Sequence, residues 1–185
     1  MRVYLLVERD SDRAVFQRLL PAEIQPEITI VISGERSNIV SKARSLMVMK
    51  RRPVALVTNA DTVEKDAINE RLQMLEELVG SAAAGIPFKV ILAVPEVESW
   101  FFEVPEFLER LSGKKLSPDQ RELGELRPKE VLRRLFQDQG PSFVYNLASE
   151  LTEPEVKTLR ETQPRKELIE FLTEQVNTKT EPQMV

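Results

Sequence analysis

The stretch Val3-Tyr4-Leu5-Leu6-Val7-Glu8-Arg9-Asp10-Ser11-Asp12 decides the fold. Five strand-forming residues run without a polar break, then the chain turns acidic within one step. A continuous apolar run reads as a strand buried on both faces, the kind found in parallel sheets. The residues that follow, Asp10 to Leu20, carry Ala14, Val15, Leu19 and Leu20 on one side of a helix. Strand, acidic turn and helix form the first half of a βαβ unit.

The pattern returns twice. Val54 to Val57 runs into Asn59 and Asp61, and Val90 to Val94 runs into Glu96 and Glu98. Between them the periodicity predicts strands at Glu27–Ile32, Val54–Thr58 and Phe88–Val94. It predicts helices over Asn38–Met49 and from about Val63 to Val79, with Gly80 at the second one's C-terminal end. The expected fold is therefore α/β, a mostly parallel sheet of about four strands flanked by helices. After residue 95 strand signals stop, and short helices are expected at about 96–103, 105–112, 128–138, 142–150 and 164–176. This divides the chain into an α/β core (1–104), a helical appendage packed on it (105–177) and a polar tail (178–185).

Composition narrows the chemistry. At 42% hydrophobic and 30% charged, a 185-residue chain suits one globular unit with a sizeable core. No apolar stretch nears the roughly 20 residues of a membrane helix, and the N-terminus lacks a signal-peptide pattern. A cytoplasmic, membrane-free protein is expected. The chain holds no cysteine and no histidine. Disulfides, zinc-thiolate sites, Ser-His-Asp triads and Cys-His dyads are thereby excluded. Catalysis would rest on carboxylates, Lys, Arg, hydroxyls, water or a metal. A net charge of −4 and a pI near 5.2 argue against a protein that coats DNA.

In an open α/β sheet, ligands bind outside the carboxyl ends of the strands. Acids gathered there repel unless a cation joins them, and hard oxygens select Mg²⁺ or Mn²⁺. Glu8 at a strand tip reads as a metal ligand or general base, with Asp12 in support. Asp61 reads as a ligand after the third strand, and Glu98 sits where it reaches the same edge. Helix capping competes at each place. Asp10, Ser11 and Asp12 suit a helix N-terminus, Asp61 with Glu64 has capping-box spacing, and Asn59 suits a left-handed turn. Pro95 with the acids behind it suits ordinary helix initiation. Glu8 precedes its helix, so capping does not account for it. Arg127, Lys129, Arg133 and Arg134 lie around one appendage helix and read as surface charge or as phosphate contacts. Phosphate-binding glycine loops are missing.

These segments resemble a TOPRIM domain, the fold of topoisomerases, primases and OLD-type nucleases. Leu5-Leu6-Val7-Glu8-Arg9-Asp10-Ser11-Asp12 is similar to the OLD-type opening, with Glu8, Ser11 and Asp12 at the matching positions. Leu56-Val57-Thr58-Asn59-Ala60-Asp61-Thr62 resembles the family's Asp-x-Asp strand end. Pro95-Glu96-Val97-Glu98-Ser99-Trp100-Phe101 and Pro128-Lys129-Glu130-Val131-Leu132 look like segments of small bacterial TOPRIM relatives. The likeness covers roughly residues 1–135. It implies a metal-dependent phosphodiester enzyme, nuclease-like, with Glu8, Asp61 and Glu98 catalytic. Glu8, Asn59, Asp61, Glu98 and Asp12 would then surround Mg²⁺ or Mn²⁺. Two departures weaken that site: Arg9 replaces the usual Gly, and Asn59 replaces the first Asp. The alternative they favour is an inactive TOPRIM-like module that binds nucleic acid or a partner ATPase. A phosphoacceptor domain on Asp61 is a third reading, and it lacks an obvious Lys after a fifth strand.

Overall fold

The computed structural model describes residues 3–34, 36–140, 143 and 146–178. Four parallel strands, β1 (Val3–Val7), β2 (Ile28–Ile32), β3 (Val54–Asn59) and β4 (Phe88–Ala93), form one sheet in the order β2-β1-β3-β4. The α/β expectation holds, and the sheet is wholly parallel. β1 is paired on both sides, with Leu5 opposite Ile30 and Ala55.

Side chains alternate between two cores, which is why the strands read as unbroken apolar runs. Val3, Leu5, Val7, Ala55, Val57, Ile91 and Ala93 face one side. Leu6, Val54, Leu56, Val90 and Leu92 face the other. The chain leaves β1 toward β2 and then returns across β1 to β3. Right-handed crossovers place helices for these opposite directions on opposite faces. Accordingly α1 (Asp10–Leu19) joins the first core through Val15, Phe16 and Leu19. Helices α2 (Arg36–Lys50) and α3 (Lys65–Gly80) join the second through Ile39, Ala43, Met47, Leu75 and Val79. The reversal between β1 and β3 is a topological switch point.

The appendage packs on the α1 face. A 3-10 segment (Val97–Glu103) leads into it, and it comprises α4 (Pro105–Ser112), α5 (Pro118–Leu126), α6 (Pro128–Leu135), α7 (Glu153–Glu161) and α8 (Arg165–Asn177). Phe107, Leu132, Val156 and Leu172 join the same core as β1. Each such side chain fully removed from water contributes about 1.5–3 kcal/mol. Arg165 is buried among them. Its guanidinium lies 4.7 Å over the Trp100 ring, its Nε donates to the Leu159 carbonyl at 2.6 Å, and it pairs with Glu103.

Several boundaries differ from the sequence reading. Helices α5 and α7 were absent from it, although Ser117 and Thr152 open genuine capping boxes with Gln120 and Glu155. The segment after β4 is a 3-10 helix, and the helix expected at 128–138 ends at Leu135. The helix expected at 142–150 falls partly outside the described residues, and its described end is a 3-10 turn over Leu147–Glu150. Residues 179–185 of the expected tail also lie outside. Among the described residues, no helix is long and apolar enough to cross a membrane.

Candidate functional site

Parallel register places Glu8 beside Thr58, since Leu6 pairs with Leu56 two residues earlier. The Glu8 carboxylate is buried and is held by β3. Its Oε1 accepts from the Thr58 hydroxyl and from the Asn59 backbone N–H at 3.0 Å. Its Oε2 accepts from Asn59 Nδ2 at 3.3 Å. Three of the roughly four lone-pair directions of the carboxylate are thus used within the chain.

Asn59 is committed at both ends. While Nδ2 donates to Glu8, Oδ1 accepts from the Val97 backbone N–H at 3.0 Å. These two partners dictate the orientation of the carboxamide. Asn59 is buried in the last position of β3, and it is Asp61, not Asn59, that takes the left-handed turn, with φ 55°. Asp61 is exposed, and its backbone N–H donates to the Pro95 carbonyl at 2.8 Å. The Asp61–Glu64 capping box does not form. Helix α3 begins at Lys65, and Glu64 N–H donates to the Thr62 hydroxyl at 3.1 Å.

A second group of acids lies beside the first. Asp12 is 3% exposed and caps α1 by accepting from the Arg9 N–H at 2.9 Å. Its carboxyl is raised from 3.8 to about 6, first by burial and then by the nearby Glu98 carboxylate. Glu98, 8% exposed, is also raised by burial, against the pull of Lys129. Glu98 Oε1 lies 3.5 Å from Lys129 Nζ and 3.9 Å from Arg9 Nη1. Lys129 also pairs closely with Glu96. The other oxygen, Oε2, is buried without a hydrogen-bond partner, as is Ser11 Oγ. Ser11, Asp12 and Glu98 line a cavity of about 20 Å³ closed by Val15, Val97 and Phe101. That volume holds one water-sized species.

The structure therefore brings Glu8 and Asn59 into direct contact and sets Asp12 and Glu98 within electrostatic reach of each other. Asp61 sits on the exposed turn beyond β3. No group of three or more acidic residues able to hold a metal ion occurs among the described residues. As arranged, the Glu8 carboxylate and Asn59 Oδ1 accept hydrogen bonds from the chain itself, which leaves about one lone-pair direction on Glu8. Of the five residues assigned to Mg²⁺ or Mn²⁺, Asp12 and Glu98 line the small cavity, and Glu98 keeps an unpartnered Oε2. Thr58 and Lys129 complete the site. Thr58 became visible only with the register, and Lys129 arrives from an appendage helix some 30 residues past the acids it pairs with. No family model matches this chain, and no curated protein or solved structure matches it either.

Proposed function

We propose that this chain is a TOPRIM-like module that binds a phosphodiester backbone at the carboxyl edge of its sheet and does not cut it. The observation that carries this reading is the Asn59 carboxamide, which donates to Glu8 where the resemblance calls for a charged metal ligand. A carboxylate at that position would repel Glu8 and call for a cation. An amide satisfies Glu8 without one. Positive charge at this edge comes from the chain itself. Buried Glu98 orients Arg9, whose side chain is 46% exposed, and Lys129 is clasped between Glu96 and Glu98. Exposed Arg133 and Arg134 lie on the same short helix as Lys129, and exposed Arg127 directly precedes it. A phosphate reaching the edge meets these cations, with Asp12 and Glu98 buried behind them and Asp10 and Asp61 exposed nearby.

The test is fluorescence anisotropy of labelled single- and double-stranded DNA and RNA at low salt, with nicking assayed in parallel in Mg²⁺ and Mn²⁺. Binding should weaken in Arg9→Ala, and the slope of log affinity against log salt should fall by about one. Absence of binding to every probe overturns the binding half. Nicking that disappears in Glu8→Gln overturns the non-cleaving half.

The unpartnered Glu98 Oε2 favours a second reading, in which Asp12 and Glu98 share a divalent cation and the module retains metal-dependent phosphodiester chemistry. Mn²⁺ binding by calorimetry, abolished in both Asp12→Asn and Glu98→Gln, would support it.

A further inference from the structure

The two faces of the sheet are covered unequally. The α1 face carries the whole appendage, whereas the opposite core is roofed by α2 and α3. Between these two helices runs a groove of about 950 Å³. Four exposed apolar side chains line it: Val48 (55%), Met49 (77%), Met74 (50%) and Leu78 (40%). Most of the large apolar side chains exposed on the described surface are gathered here. Contiguous exposure of this kind marks an interaction surface.

The groove side of helix α2 carries Ser41, Ser45, Val48 and Met49, and Lys42, Arg44 and Lys50 are exposed along the same helix. Small residues let another helix approach closely. The charges of the two helices are also segregated. From Arg36 to Arg52 the chain has six basic residues and no acid. Helix α3 exposes Asp66, Glu70, Glu76 and Glu77. The groove itself contains Arg44 and Arg71, and the buried Nε of Arg71 has no partner.

We propose that this groove is a homodimer interface, with α2 of one copy seated against α3 of the other about a twofold axis. A twofold contact uses one patch twice, so the patch must complement itself. A basic helix beside an acidic one does this when two copies pair in opposed order: each α2 meets an α3, and the apolar centres meet each other. At 1.5 Å per residue the face is about 22–24 Å long and two helices wide, the scale of a modest specific interface. The proposal is independent of the phosphodiester reading, since the groove lies on the sheet face and not at the strand ends.

The experiment is sedimentation velocity on the full chain from about 2 to 200 µM. The expected species is a dimer of twice 21.2 kDa. Val48→Glu and Met74→Glu, both at exposed positions, should each raise the dissociation constant at least tenfold while leaving the thermal melt of the monomer unchanged. Glu70→Arg with Glu77→Arg should weaken the dimer at low salt, and adding Arg44→Glu with Lys50→Glu should restore it. A chain that stays monomeric at 200 µM overturns the proposal and leaves the groove to a different partner. A dimer indifferent to both glutamate substitutions places the interface elsewhere and overturns it equally.

Discussion

Replacing Asp12 with Asn tests the electrostatics of the edge most directly. Asp12 is buried, faces Glu98, and is raised from 3.8 to about 6. A carboxyl that is raised in the folded state binds its proton more tightly there than in the unfolded chain. Its contribution to stability is therefore present at low pH and is lost as pH climbs from about 4 through about 6. At 1.36 kcal/mol per tenfold, the gap corresponds to on the order of 3 kcal/mol, as an upper bound. Asn keeps an oxygen to accept from the Arg9 N–H, so the cap survives. It removes the buried charge. Asp12→Asn should thus be near neutral at pH 4 and stabilising by about 1–3 kcal/mol at pH 8. Urea denaturation of both proteins at half-unit steps between these limits gives the difference curve. Both chains share every other titrating group, so the difference reports Asp12 together with its coupling to Glu98. A flat difference, or a variant less stable at pH 8 than at pH 4 relative to the parent, would refute the claim that burial and Glu98 hold this proton.

Three further outcomes follow from particular contacts. Asn59→Asp exchanges a donor for a second carboxylate 3.3 Å from Glu8. It should cost on the order of 2–4 kcal/mol at pH 8, recover at pH 5, and acquire millimolar Mg²⁺ or Mn²⁺ stabilisation in thermal melts. Gly124→Ala, ordinarily worth about 1 kcal/mol in favour of a helix, should instead lower the melting temperature, because the added Cβ would overlap the Phe102 ring. Arg165→Ala removes a buried cation stacked on Trp100 and paired with Glu103, and should cost about 3 kcal/mol or more in denaturant titration.

The alternation of elements was legible because burial on both faces leaves a strong trace. Leu5 and Leu6 belong to different cores, yet neither position tolerates a polar side chain. Glu8 was legible for the same reason, since a charge that ends such a run must sit at the strand tip. The helices α5 and α7 also had local signals, in Ser117-Pro118 with Gln120 and Thr152 with Glu155. What local pattern could not supply was pairing. Val54 to Thr58 reads the same whichever strand lies next to it. Only the register, which places Thr58 and Asn59 against Glu8, gives those two side chains their work.

Asn59 shows what the clusters, read one at a time, do not reveal. As a lone residue after a strand it reads as a turn former, or as a depleted metal ligand. In place it is a bridge: one end of its carboxamide neutralises the hydrogen-bonding demand of Glu8, and the other pins the backbone of Val97, one residue before Glu98. The bridge couples the tips of β1 and β3 to the segment after β4, and so fixes where Glu98 stands relative to Asp12. A carboxylate in its place could accept from Val97 but could not donate to Glu8. The amide and the resident cations Arg9 and Lys129 are thus two parts of one solution. The amide meets Glu8 without a cation, and exposed Arg9 and half-buried Lys129 set positive charge beside buried Glu98.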